Sequence, residues 1–193
     1  MESQNIHLPP FDYTCKRYNI VMQERLWAPW RMQYVSEAGK PSAECIFCAK
    51  PAENADAENL IVWRSTQCYV ILNLFPYTSG HLMIAPYRHT RDLASLTDAE
   101  WQDLGNLMRL CLRALEREYR PDGFNVGFNL GRAAGAGIEE HLHLHIVPRW
   151  HGDTNFMATV GETRVLPESL SETYTRLQRA LQEVNAAHDG ATR

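Results

Sequence analysis

Apolar positions along the chain fall into short strand-like runs and two longer helical repeats. Residues 59–64 (NLIVWR) and 67–72 (QCYVIL) are rich in β-branched and aromatic side chains. Only Ser65-Thr66 separates them, which predicts a hairpin. A turn-rich loop over 73–80 leads to a third strand at 81–86, and FNVGFNL (124–130) predicts a fourth. Residues 141–147 alternate without a fault. His141, His143 and His145 take one set of positions, and Leu142, Leu144 and Ile146 the other. Extended backbone points successive side chains to opposite faces, so the leucines enter a core and the imidazoles line up about 6–7 Å apart. A helix would scatter them. Pro148 is expected to end this strand.

The helical repeats begin at capping boxes. Thr97-Asp-Ala-Glu100 precedes Leu104, Leu107, Met108, Cys111, Leu112 and Leu115, predicting a helix over 98–119 that closes before Pro121. Ser169-Leu-Ser-Glu172 opens a C-terminal helix over about 170–186. Residues 51–58 (PAENADAE) read as a polar loop. Strands joined mostly by tight turns, with one long helix between the third and fourth, predict an α+β fold with an antiparallel sheet.

Composition narrows the class. The chain has 193 residues, 45% hydrophobic and 22% charged, as in a globular protein with one full core. A net charge of −4 without a basic run argues against binding a nucleic-acid polymer. No apolar run approaches the roughly 18 residues of a membrane span. Residues 1–21 lack the build of a signal peptide and are expected to be a poorly structured extension, with 22–193 a single domain. With no targeting segment, the expected compartment is the cytoplasm, and five cysteines suit a reducing one. RLWAPWRMQYV (25–35) concentrates Trp and Arg, and is either an amphipathic cover for the core or a stacking or subunit-contact segment.

The chemistry centres on the histidines. Three imidazoles on one face of a half-buried strand suit a metal site, a nucleophilic or acid–base site, or both. Neutral imidazole can attack phosphorus and give a phosphoramidate that water or phosphate then cleaves. GRAAGAG (131–137) lets backbone amides approach an anion and places Arg132 beside it. It fits neither the Walker loop nor the dinucleotide fingerprint. No acidic cluster is present to hold magnesium, so any Mg2+ would arrive with a nucleotide. Cys45-Ile-Phe-Cys48 is a metal knuckle. With His89 and one histidine of the run it makes a Cys2His2 set, His81 being a weaker fourth ligand.

HLHLHIV resembles the signature of the histidine-triad family of nucleotide hydrolases and transferases. LWAPWR, NLGRAAGAG and VPRWHGDTNF make the chain most similar to its bacterial diadenosine-polyphosphate phosphorylase or hydrolase branch. The resemblance implies a five-stranded antiparallel sheet with helices, paired as a homodimer or higher homo-oligomer. It implies His143 as the nucleophile that carries a nucleotidyl group and His145 on the phosphate oxygens. Asn73 would lie near the ribose and the nucleophile, Asn129 near ribose or phosphate, His81 would support the triad, and Gly135 to Gly137 would lie on the phosphates. Trp150 would touch the second nucleoside. Structural Zn2+ would be held by Cys45, Cys48, His89 and His141. Ile138-Glu139-Glu140 departs from the Gln-Ser or Gln-Thr of many relatives, which argues against phosphoramidase activity. The alternatives are a nucleoside phosphoramidase or nucleotidyl transferase, and a nucleotide-binding module without turnover.

Overall fold

The structure, a computed structural model, describes residues 44–153 and 168–191. The expected N-terminal extension, the Trp-rich segment and residues 154–156 lie outside the described residues. Five strands form one antiparallel sheet in the order β1-β2-β3-β5-β4. They are β1 (Ile61–Arg64), β2 (Cys68–Leu72), β3 (Leu82–Pro86), β4 (Gly123–Phe128) and β5 (Leu144–Arg149). The long helix α3 (Asp98–Tyr119) joins β3 to β4, as the periodicity predicts. Its Thr97–Glu100 capping box is complete on both sides. The Ser169–Glu172 box opens α4 (Leu170–Ala191), which runs five residues past its expected end.

Side-chain alternation gives the sheet two different faces. Val70, Leu72, Leu82, Ile84, Leu142, Leu144 and Ile146 pack with Leu104, Leu107, Cys111 and Leu115 of α3 and Leu177 and Leu181 of α4. The odd-numbered positions Tyr69, Ile71, Met83 and Ala85 form a smaller cluster with Phe47 on the other face. Every residue of β2 and β3 is buried on one face or the other. The long helices stabilise one face, and the opposite face, where His145 stands across from Met83, is left for a site.

Three expectations need correction. The polar loop at 51–58 is largely helical: α1 spans Ile46–Ala52 and α2 spans Asp56–Asn59. No side chain caps α1, and Pro51 sits inside it, so the carbonyl of Phe47 has no intrahelical donor. The buried Tyr69 hydroxyl donates to that carbonyl at 2.8 Å instead. A tertiary contact therefore holds a helix that periodicity misses. Secondly, Pro148 does not end the histidine strand but lies within β5, opposite Phe124. The β3 pairing stops at Ile146, and Thr78 Oγ1 donates to the Pro148 carbonyl at 2.8 Å. The missing N–H thus points past the end of β3. Thirdly, the strand ladder begins at Leu144, so His141, in a bend, and His143 precede it.

Candidate active site

The site is built where α1, the β2–β3 loop and the start of β5 meet. His143 is buried, and its Nδ1 lies 2.8 Å from the carbonyl of His141. A carbonyl only accepts, so the proton of neutral His143 is on Nδ1 and the lone pair is on Nε2. Burial lowers the His143 pKa, which favours this neutral form. The Phe47 ring stacks on the imidazole at 4.7 Å between centroids and fixes its plane.

A second chain of contacts sets His145. The backbone N–H of Tyr77 donates to His81 Nδ1 at 3.2 Å, and Asn73 Nδ2 stands 3.4 Å from the same atom. His81 in its neutral form is therefore protonated on Nε2, which lies 3.0 Å from His145 Nδ1. That leaves the His145 proton on Nε2, an atom that is buried and has no hydrogen-bond partner among the described residues. Burial, followed by the neighbouring His143, lowers the His145 pKa to about 4. An unpaired buried N–H is costly unless a ligand meets it. Here one imidazole offers a lone pair and its neighbour, 4.9 Å away centre to centre, offers a donor.

Two cavities open beside these rings. One, of about 210 Å3, is lined by His143, His145, Asn73, Asn129, Gly135, Gly137 and Tyr77, with Ile46, Phe47, Lys50, Leu74, Phe75 and Ile138 on its walls. The other, of about 400 Å3, lies along β4 and shares Tyr77, Asn129 and His145 with the first. It is bounded by Asn125 and Arg149, whose guanidinium also pairs with Asp153.

Behind the triad, Cys45, Cys48, His89 and His141 bring one ligand atom each within 4.8 Å of one another. Cys45 Sγ stands 3.4 Å from His141 Nδ1, and Cys48 Sγ stands 3.4 Å from His89 Nδ1 and 3.5 Å from His141 Nδ1. Tetrahedral zinc, with bonds of about 2.3 Å to sulfur and 2.0 Å to nitrogen, sets its sulfur and nitrogen ligands about 3.5 Å apart. His141 Nε2 donates to the Pro86 carbonyl at 2.9 Å, leaving Nδ1 as the ligating nitrogen. The residues therefore fit a tetrahedral metal.

The expected site residues divide accordingly. His141, His143, His145, Asn73, His81, Asn129, Gly135 and Gly137 converge, and the four metal candidates cluster. Arg132 does not line either cavity: its side chain is 90% exposed and pairs with Glu139. Trp150 follows β5, its N–H directed to Asp153, and lines neither cavity. Phe47, Lys50 and Tyr77 are lining residues that periodicity does not mark. The place of Phe47 between two cysteines is the one local sign of its role.

A five-stranded antiparallel sheet with a histidine triad on its open face defines a class of nucleotide-processing proteins. The chain belongs to the histidine-triad (HIT) family: residues 54–152 match the HIT domain model. It is 43% identical over 157 residues, 78% of this chain and 80% of the relative, to a protein of Mycobacterium tuberculosis named AP-4-A phosphorylase. It is 36% identical over 91 residues to bis(5'-adenosyl)-triphosphatase of Saccharomyces cerevisiae, covering 47% of this chain and 44% of that one. A Zn-bound histidine triad family protein from Mycobacterium smegmatis superposes with a TM-score of 0.61 at 27% identity, covering 76% of this chain and 99% of that chain.

Proposed function

We propose that the chain cleaves dinucleoside polyphosphates of the diadenosine tetraphosphate type, as a phosphorylase or hydrolase working through a nucleotidyl-His143 intermediate. The observation that carries this reading is the paired tautomers of His143 and His145 at one cavity. The His143 Nε2 lone pair attacks the α-phosphorus, and the bond to the bridging oxygen breaks with its electron pair leaving on the nucleoside polyphosphate. His145 Nε2–H and the amides of Gly135 and Gly137 hold the non-bridging oxygens, whose charge spreads as the bond breaks. Phosphate or water then attacks phosphorus, the P–N bond breaks, and its pair returns to Nε2. Asn73 and Asn129 hold ribose or phosphate, and His81 holds His145. The two relatives named for diadenosine-polyphosphate chemistry support the substrate class.

Zn2+ at Cys45, Cys48, His89 and His141 belongs to the same reading. When bound, it ties α1 to the triad and takes no part in bond breaking. A homodimer also belongs to it: β4 is an edge strand, and Val126 on it is 40% exposed.

Product analysis with diadenosine tetraphosphate tests the reaction. ADP and ATP appearing only with inorganic phosphate identify a phosphorylase. AMP and ATP without phosphate identify a hydrolase. Absence of cleavage in both tubes overturns the proposal.

The pH profile follows from burial. Neutral His143 is the active form, and its pKa is lowered from 6.5. Activity is thus present above the depressed value and lost as pH falls through it. The acid limb of kcat/KM should lie below pH 6.5. Stability should fall over the same range, because an unfolded imidazole takes a proton near 6.5 while the buried His145 resists it until about 4. An acid limb at or above 6.5 contradicts the assignment.

A further inference from the structure

The cavity beside His143 has a polar end and an apolar wall, and one cation stands on that wall. Ile46, Phe47 and Lys50 of α1 share a helix face that lines it. Lys50 is half-buried, and its ammonium feels the Glu53 carboxylate without a hydrogen bond or an ion pair within 4 Å among the described residues. The nearby Glu53 carboxylate accepts from Asn59 at 2.7 Å. Among the described residues, Lys50 is the only permanently charged side chain lining this cavity. Phe47 is the α1 residue that stacks on His143. Lys50 lies a turn further along the helix, about 5–6 Å away between Cβ atoms. It belongs to the helix that supplies the apolar wall, not to the strand and glycine loop that meet the phosphates.

We infer that Lys50 is a specificity-determining residue whose ammonium donates to acceptor atoms of the nucleobase held over His143, favouring guanine over adenine there. This rests on the dinucleoside-polyphosphate reading above. A flat base fits between apolar walls, and orientation then depends on few polar groups. An ammonium has three donors and no acceptor. Guanine presents N7 and O6 side by side as acceptors, whereas adenine presents N7 beside an amino donor. A donor-only probe gains two contacts from the first and meets a like dipole in the second. The long methylene stem of a lysine can lie along an apolar wall while its head stays with polar groups, and Lys50 lines this cavity.

A mixed dinucleotide, adenosine–guanosine tetraphosphate, reads this directly, because the two halves compete for one site. Guanosine over His143 releases ATP, and adenosine over His143 releases GTP. Wild-type protein should release ATP over GTP by roughly tenfold. Lys50→Met, which keeps the apolar stem, should bring the ratio near one, and Lys50→Arg should keep it above one. Equal release by the wild type overturns the assignment. So does a Lys50→Met protein that slows both channels alike and keeps the ratio, since that is the mark of a phosphate contact. No cleavage by the wild type removes the functional reading and this inference with it. Cleavage without preference removes this inference alone.

Discussion

Replacing His143 with asparagine should leave a protein that binds dinucleotide and does not turn it over. The asparagine amide can still donate to the His141 carbonyl, which holds His143 Nδ1 at 2.8 Å. What disappears is the Nε2 lone pair. Loss of a nucleophile whose partners remain in place lowers turnover by a factor on the order of 10⁶. In the proposed mechanism the cavity walls, Asn73, Asn129 and the glycine loop would supply the binding energy, so affinity should stay within about tenfold, or 1.4 kcal/mol. Stopped turnover combined with retained binding, measured by single-turnover kinetics and equilibrium titration, also separates an enzyme from a binding module. Wild-type protein denatured at alkaline pH, where the P–N bond survives, should carry a nucleotidyl label that the variant lacks. Turnover within tenfold of wild type would remove His143 as nucleophile.

That prediction is available from the sequence because alternation belongs to the extended backbone itself. Leu142, Leu144 and Ile146 have to face the helices, so His143 and His145 have to face away. The capping boxes at Thr97 and Ser169 are legible for a similar reason, since each is complete within four residues. Features fixed by long-range contact are not. Helix α1 has seven residues, an internal proline and no capping side chain, and the Tyr69 hydroxyl supplies its missing bond across the sheet. Phe47 and Lys50 take their places only once α1 is docked. Arg132 shows the converse. Beside a glycine loop it looks like a phosphate ligand, yet Glu139 lies within reach and engages it on the surface. The tautomer of His145 depends on a backbone amide, that of Tyr77, reached through His81. No residue pattern records a hydrogen bond made by main chain.

The metal centre should account for a large share of stability. Purified protein is expected to hold about one zinc per chain, and Cys48→Ser to lose it. A ligand present at a thousandfold excess over its Kd stabilises the folded state by about 4 kcal/mol, so chelation or Cys48→Ser should lower the unfolding free energy by several kcal/mol. The mechanism is visible in the geometry. Without a metal, burial and then the adjacent Cys45 push the Cys48 thiol up to about 11. The metal must displace that proton, so affinity should weaken as pH falls. The consequence reaches the nucleophile through Phe47, whose ring lies 5.3 Å from His141 and 4.7 Å from His143. Zinc-free protein should therefore lose kcat more than substrate affinity, because α1 no longer holds Phe47 against the His143 ring. Elemental analysis, denaturant unfolding with and without chelator, and kcat against KM measure the three parts separately. Metal-free protein with full stability would exclude a structural zinc. Zinc loss with unchanged kcat would confine the metal to holding the fold.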